Sequence, residues 1–203
     1  MPQRQRWVCI FGKSKNGRKQ SLTVLIGKLI GIHITKLVFD ILPTTSQANK
    51  YDNGKRTCPA CECLHEDRDH VLRCPHAIAE AWRTEFDLEI SEFCCKTQTK
   101  LELQKLLQTA SAQWFQTSPE VTMLVNTEDY SPCLHSIIIQ QNQIGWRQMF
   151  NGRFGNEWCR IQNAAYMNRP EPPGVRKRTG EQWQVKLIVT MWTSWEQRWA
   201  DRN

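Results

Sequence analysis

The sequence predicts a mainly α-helical fold, an irregular helical bundle joined to one small cysteine-rich finger. Apolar residues recur at helical spacing in several long stretches, and proline or glycine residues fall between those stretches. No stretch alternates apolar and polar residues in the way that a half-buried strand does. With 203 residues, of which 40% are hydrophobic, the chain can bury a core, which excludes a disordered tail.

The N-terminal part of the chain divides into an arm and a helical segment. Residues 1–20 are basic and polar and have no apolar period, so we expect a flexible arm. Residues 21–57 are expected to form a helix and a polar connector. The apolar residues of positions 22–41 follow the i, i+3, i+4 rule of an amphipathic helix, and Pro43 ends this helix.

The middle segment, residues 58–86, is predicted to be a finger with a following helix. The acidic residues that precede His70 suit the start of a short helix. Pro75 fits the first position of a second helix, because residues 76–86 are rich in helix-forming side chains. The finger is therefore expected to lead directly into a helix.

Residues 87–203 are expected to form a helical C-terminal domain. Apolar spacing predicts one helix over residues 97–116, two or three helices over residues 132–167 and a last helix over residues 181–201, with a Pro-rich loop at 168–180. Tryptophans of the last helix recur at helical spacing. We therefore assign the tryptophans to the core rather than to a surface on which nucleic-acid bases stack.

The net charge of +7 is unevenly distributed along the chain. Residues 1–57 contain eleven Lys or Arg and two Asp, which gives +9, whereas residues 58–203 contain sixteen Lys or Arg and eighteen acids, which gives −2. Six basic residues within the arm attract phosphate non-specifically, since the arm contains no acid. These candidate nucleic-acid-binding residues are Arg4, Arg6, Lys13, Lys15, Arg18 and Lys19.

Neither export nor membrane insertion is indicated. The first residues lack the apolar stretch of a secretory signal. Charges at Lys28, Lys36 and Asp40 interrupt the longest apolar segment.

The nine cysteines are an odd number, which excludes a fully paired disulfide framework. Four of them lie within 17 residues, a density typical of a metal site. We therefore expect an intracellular protein, nuclear or cytoplasmic, with no membrane partner.

The most informative pattern is C-x2-C-x8-H-x3-C, which consists of Cys58, Cys61, His70 and Cys74. A CxxC turn brings two thiolates to one point, and residues four apart share one face of a helix, so the four side chains can meet in a tetrahedron. Three thiolates and one imidazole saturate Zn²⁺ and leave no open position for water. The pattern therefore predicts a structural Cys3His zinc finger with Zn²⁺ as its cofactor, and no catalytic metal.

Other donors leave the ligand set open. Cys63, His65 or His76 can replace one of the four residues, and His76 can instead support a ligand or the following helix. Ordinary buried thiols beside a helix histidine would explain a single cysteine, but not four donors at this spacing. A redox-active CxxC is disfavoured because a thioredoxin-like motif lies between a strand and a helix, and no strand is predicted before Cys58.

Several motifs together resemble a known family. They are Ile41-Leu-Pro-Thr44, Cys58-Pro-Ala-Cys61, Glu66-Asp-Arg-Asp-His70, Leu72-Arg-Cys-Pro-His76 and Trp82-Arg83. These motifs resemble the zinc-binding region that lies C-terminal to the polymerase in retrotransposon reverse transcriptases. The segment at 144–153, Trp158 and the closing Trp192-x-x-Trp-x-x-x-Trp-x-x-Arg-Asn203 look like the helical tail that follows this finger in some retroelement copies. The resemblance spans residues 36–203, and the Leu-Pro-Thr and cysteine motifs are its most specific part.

The resemblance implies a piece of a mobile-element polyprotein, a fragment or a decayed copy. A polymerase of this kind needs an aromatic-x-Asp-Asp motif that holds metal ions, and no adjacent Asp-Asp occurs in the chain. We therefore expect no enzyme activity from the chain on its own and no small-molecule substrate. The expected function is a non-catalytic, zinc-binding module that associates with RNA or DNA, with the polymerase region as a further partner. The alternative is a zinc-stabilised protein–protein interaction module without nucleic-acid binding.

Overall fold

The structure is a computed structural model that describes residue 44 and residues 57–63, 66–118, 121–169 and 177–202. Within these ranges the chain forms six α-helices and two short 3-10 helices and no strand, which confirms the mainly α-helical prediction. The α-helices are α1 (Arg68–Arg73), α2 (Ala77–Thr97), α3 (Leu101–Gln116), α4 (Pro132–Ile144), α5 (Asn156–Met167) and α6 (Gly180–Arg202), and the 3-10 helices are η1 (Thr127–Asp129) and η2 (Trp146–Asn151). The predicted arm and the helix predicted over residues 22–41 lie outside the described residues.

Capping residues and glycines explain where several helices begin and end. The side chain of Asp67 accepts a hydrogen bond of 2.7 Å from the backbone N–H of His70 and so caps the N-terminus of α1. Gln98 takes a left-handed φ of 52° and closes α2. Gly145 ends α4 with a φ of 92°, a backbone conformation that favours glycine.

The predicted helices after residue 76 are present, with different limits. α2 continues to Thr97, and the helix predicted from residue 97 begins only at Leu101, because the left-handed Gln98 separates it from α2. The region 132–167, where the sequence predicts two or three helices, divides into α4, η2 and α5 with breaks at Gly145 and Gly152. At the ends of the predicted Pro-rich loop, residues 168–169 and 177–179 are not helical, and residues 170–176 lie outside the described part.

One large apolar core joins the helices. α6 packs mainly against α5 and α2, and α4 packs against α5 and η1. Seven tryptophans are buried in this core, and Trp192 is half-buried beside it, so the prediction of core tryptophans is confirmed for the described residues. The buried ones are Trp82, Trp114, Trp146, Trp158, Trp183, Trp195 and Trp199.

α2 joins the cysteine-rich segment to the helical body. It runs without a break from residue 86 to residue 87, the predicted boundary between two segments. Its buried residues on both sides of that position, Phe86 and Ile90 among them, belong to the same core. The indole N–H of Trp82 also donates a hydrogen bond of 2.8 Å to the main-chain carbonyl of Ser194 in α6. The first part of α2 is therefore anchored to the last helix of the chain.

Candidate metal centre

A tight turn presents the first two cysteines of the predicted site. The N–H of Cys58 donates a 2.9 Å hydrogen bond to the carbonyl of Cys63, and the N–H of Glu62 donates one of 2.9 Å back to the carbonyl of Cys58. Glu62 has a φ of 60°, which is uncommon for a residue other than glycine and lets the chain reverse here. Because the turn closes on itself, the thiols of Cys58 and Cys61 are brought to one side.

α1 presents the other two predicted ligands. His70 lies within α1, and Cys74 follows its last residue, so the two residues are one helical turn apart. Arg83 of α2 donates hydrogen bonds of 3.2 and 3.0 Å to the main-chain carbonyls of Leu72 and Cys74. These bonds satisfy carbonyls that the end of a helix leaves without a partner. The end of α1 is thereby fixed to α2.

The four side chains converge as the sequence predicts. The Sγ atoms of Cys58 and Cys74 are 3.9 Å apart, and the Sγ atom of Cys61 lies 3.2 Å from Nε2 of His70. All four donor atoms lie within 4.8 Å of one another. Cys58 and Cys74 are buried, and the other two residues are half-buried. We call Cys58, Cys61, His70 and Cys74 the Cys/His cluster, which could hold one metal ion.

The protonation of Cys74 depends on its burial. Burial raises the pKa of the Cys74 thiol to about 12, and a hydrogen bond from the backbone of His76 lowers it in part. The thiol is therefore neutral at pH 7 when no cation lies beside it. A metal ion held by the Cys/His cluster would need the thiolate, so its binding would release a proton from Cys74.

The remaining donors of the region have other places in the structure. Cys63 is exposed and contributes only its main-chain carbonyl to the turn. His76 caps α2, where its Nδ1 accepts a 3.3 Å hydrogen bond from the N–H of Ile78. His65 lies outside the described residues, and so do the six basic residues predicted to bind nucleic acid. Among the described residues, the four members of the Cys/His cluster are therefore the ones whose donor atoms lie close enough to share a metal ion.

The role of Arg83 at this site was not predicted from the sequence. The resemblance included Trp82-Arg83 as a motif, but the carbonyl hydrogen bonds of Arg83 depend on how α2 packs beside α1. A sequence pattern does not determine that packing. The available signal was an arginine nine positions after a predicted ligand cysteine, because a long donor side chain can reach back across a helix end.

Comparisons with family models, with curated proteins and with solved structures each found no match. In the described part of the chain, every helix is too short or too polar to cross a bilayer. The geometry of the Cys/His cluster is therefore the main observation that bears on function.

Proposed function

We propose that this chain is a non-catalytic, zinc-stabilised helical module that associates with RNA or DNA. In this proposal Zn²⁺ occupies the Cys/His cluster, and the basic arm contacts phosphate groups. The module is of the type that follows the polymerase in retrotransposon reverse transcriptases, with the polymerase region as a further partner. A reducing compartment, nuclear or cytoplasmic, suits its free thiols.

The convergence of four donor atoms within 4.8 Å carries the proposal. Three sulfurs and one imidazole nitrogen form a soft donor set that favours zinc over magnesium or calcium. The separation of 3.9 Å between the sulfurs of Cys58 and Cys74 is close to the edge of a tetrahedron with Zn–S bonds of about 2.3 Å. A metal ion with four protein ligands has no open position for substrate, which supports a structural and non-catalytic role.

The charge distribution supports a nucleic-acid partner at the arm rather than at the helical body. Residues 1–57 carry eleven Lys or Arg and two Asp, whereas the rest of the chain has a small excess of acids, eighteen against sixteen. The arm itself contains six of these basic residues and no acid. Because attraction to phosphate depends on local positive charge, we expect phosphate groups to bind there. The binding is expected to be independent of nucleotide sequence.

The outer side of α2 favours the alternative, a protein–protein interaction module. Glu85, Leu88, Glu89 and Glu92 are all exposed there, and Leu88 exposes 64% of its surface. Acidic side chains repel phosphate, and an exposed leucine gives a partner protein apolar area. This face therefore suits a protein better than a nucleic acid.

Two measurements on the full chain test the proposal. Metal analysis of wild type and a Cys74→Ala variant should give about one Zn²⁺ per wild-type chain and little in the variant. Equal metal content in both proteins would exclude Cys74 as a ligand.

Binding to single-stranded RNA at several salt concentrations should weaken steeply as salt rises. Absent or salt-insensitive binding would exclude the nucleic-acid function and leave the protein-interaction alternative.

A further inference from the structure

A nearly buried carboxylate lies next to the Cys/His cluster without belonging to it. Asp69 immediately precedes His70 in α1, and its side chain is only 12% exposed. Its Oδ1 accepts hydrogen bonds of 3.3 and 3.2 Å from Nε and Nη2 of Arg68. Its Oδ2 lies 2.7 Å from Nε of Arg147, the second residue of η2. The carboxylate is thus held between two guanidinium groups, one from α1 and one from η2.

A second contact ties α1 to the other end of η2. Nη1 of Arg68 donates a 3.2 Å hydrogen bond to Oδ1 of Asn151, and Nδ2 of Asn151 donates one of 3.0 Å to Oε1 of Gln148. Arg68 and Asn151 are both buried. We call Arg68, Asp69, Arg147, Gln148 and Asn151 the Asp69 network. It joins residues 83 positions apart in the sequence.

The Asp69 network is important because α1 is too short to be stable, or to keep a fixed orientation, without contacts to the rest of the chain. α1 has six residues, and an isolated helix of that length is unstable in water. Two donors of the Cys/His cluster lie on α1 or directly after it. The directions of their side chains therefore depend on what holds α1 in place. Because the Asp69 carboxylate is nearly buried, losing the Arg147 contact would leave it with less compensating positive charge, so the Asp69 network resists rotation of α1 away from η2.

We infer that Asp69 is a positioning residue of the proposed metal site: through Arg68 and Arg147 it holds α1 against η2 in the orientation where His70 and Cys74 meet Cys58 and Cys61. This inference rests on the proposed function, because it concerns the metal ion of that site. Coupling between two sites is reciprocal. Metal binding therefore also orders η2, and loss of the metal loosens it.

The experiment compares the metal affinity of four full-length proteins. They are the wild type, Asp69→Asn, Arg147→Met and the control Asp129→Asn, which makes the same chemical change as the first variant at an exposed residue of η1. Co²⁺ is titrated into each metal-free protein and followed by the thiolate-to-cobalt absorption, and Zn²⁺ then displaces it. We expect about tenfold weaker metal binding for Asp69→Asn, a smaller loss for Arg147→Met and none for the control.

Hydrogen exchange of residues 146–151 provides the second measurement. Removal of Zn²⁺ should speed exchange there in the wild type, whereas Asp69→Asn should exchange fast even with Zn²⁺ bound. A purely structural role of Asp69 would lower the melting temperature equally with and without metal and leave the affinity for Co²⁺ unchanged. The affinity for Co²⁺ therefore distinguishes positioning from a general contribution to stability.

Three outcomes distinguish the two proposals. Wild-type metal affinity in both Asp69→Asn and Arg147→Met overturns the inference and leaves the metal site standing. Failure of the wild type to bind either metal overturns the proposed function and the inference together. If Asp69→Asn does not fold, Arg147→Met decides the matter, because Arg147 is 46% exposed and its removal leaves the Arg68–Asp69 pair intact.

Discussion

Arg83 of α2 donates a hydrogen bond of 3.0 Å to the main-chain carbonyl of Cys74, a member of the Cys/His cluster. The same guanidinium group donates a second bond, of 3.2 Å, to the carbonyl of Leu72. α2 also contributes Trp82 and Phe86 to the core. The side chain of Arg83 is therefore a direct connection between the candidate metal centre and the helix that carries part of the core.

Replacing Arg83 with methionine should destabilise the metal-bound protein by about 1.5–3 kcal/mol, the range for hydrogen bonds that involve a charged group. The methionine keeps most of the apolar stem but leaves the carbonyls of Leu72 and Cys74 without their donor. Urea unfolding with excess Zn²⁺ measures the change. Lys96→Met is the control, because Lys96 forms an exposed ion pair with Glu92 and its loss should have little effect. Equal stability of the two variants would contradict the prediction.

Replacing Trp114 with alanine should lower the free energy of unfolding by about 3–5 kcal/mol, as for other buried aromatic residues. Trp114 is 2% exposed, its ring centroid lies 4.3 Å from that of Phe150, and the Arg73 guanidinium stacks on it at 3.9 Å. The half-buried Trp192 is the matched comparison and should lose less when truncated. Urea unfolding followed by circular dichroism measures both. A loss of RNA affinity at unchanged stability would instead assign Trp114 to base stacking.

Stability should fall at alkaline pH partly because of Cys94. Burial raises the pKa of its thiol to about 11, and a hydrogen bond with the side chain of Thr99 lowers it in part. In the unfolded chain a thiol ionises at about pH 8.5. Between these values the unfolded state releases a proton that the folded state keeps, so the stabilisation is complete below about pH 8.5 and declines toward pH 11.

Urea unfolding from pH 7.5 to pH 10.5 measures this decline. Cys94→Ala should be less stable at every pH but should lose less between the two ends of the range. Some slope should remain, because burial also raises the pKa of Cys159 to about 11. Two parallel curves for wild type and variant would show that Cys94 does not ionise on unfolding.

RNA affinity should depend on salt with a slope set by the arm. Six phosphate contacts to a single strand correspond to a slope of log K against log salt of about −4. Replacing Lys13, Lys15 and Lys19 with glutamine should make the slope shallower by about 2 units, since three contacts are lost. Fluorescence anisotropy with a labelled single-stranded RNA at four or more salt concentrations measures this slope.

A second triple variant controls for the loss of net charge. It replaces Lys105, Lys177 and Lys186, which are exposed in the described part of the helical body, with glutamine. It removes the same three charges from the chain but should keep a slope near that of the wild type. Equal effects of the two triple variants would mean that net charge, and not the arm, determines the affinity.

Replacing Gly180 with alanine should destabilise the protein, although alanine is the better helix former by about 1 kcal/mol. Gly180 is the first residue of α6, and a Cβ atom there would lie well inside contact distance of the backbone carbonyl of Cys159 in α5. The start of α6 would have to move away from α5, at a cost of about 1–3 kcal/mol. A melting temperature equal to or above that of the wild type would contradict this close approach.

The elements that the sequence predicted best are those determined by local patterns. Helical periodicity predicted α3 and α6, because a helix face is defined within a few turns. The four donors of the Cys/His cluster were also predictable, since turn spacing brings Cys58 and Cys61 together and helix spacing brings His70 and Cys74 together. The limits of α2 were less predictable, because a left-handed Gln98 leaves no distinct signal.

The contacts between distant segments could not be predicted from the sequence. The pairing of Asp69 with Arg147 and of Arg68 with Asn151 depends on how η2 packs beside α1. Local propensity does not encode that arrangement, because many arginines and acids lie in the chain and each could pair with several others. The tertiary packing that nearly buries Asp69 selects the arginine that pairs with it.

The unbroken course of α2 has a consequence for how such a chain can be divided. A cut between residues 86 and 87 would give each product part of one helix and would expose Phe86 on one side and Ile90 on the other. We expect neither product to refold, so the Cys/His cluster should not fold when it is transferred to another protein without the helical body. Recombination would have to transfer it together with the helical body, and the two would be inherited as a single piece.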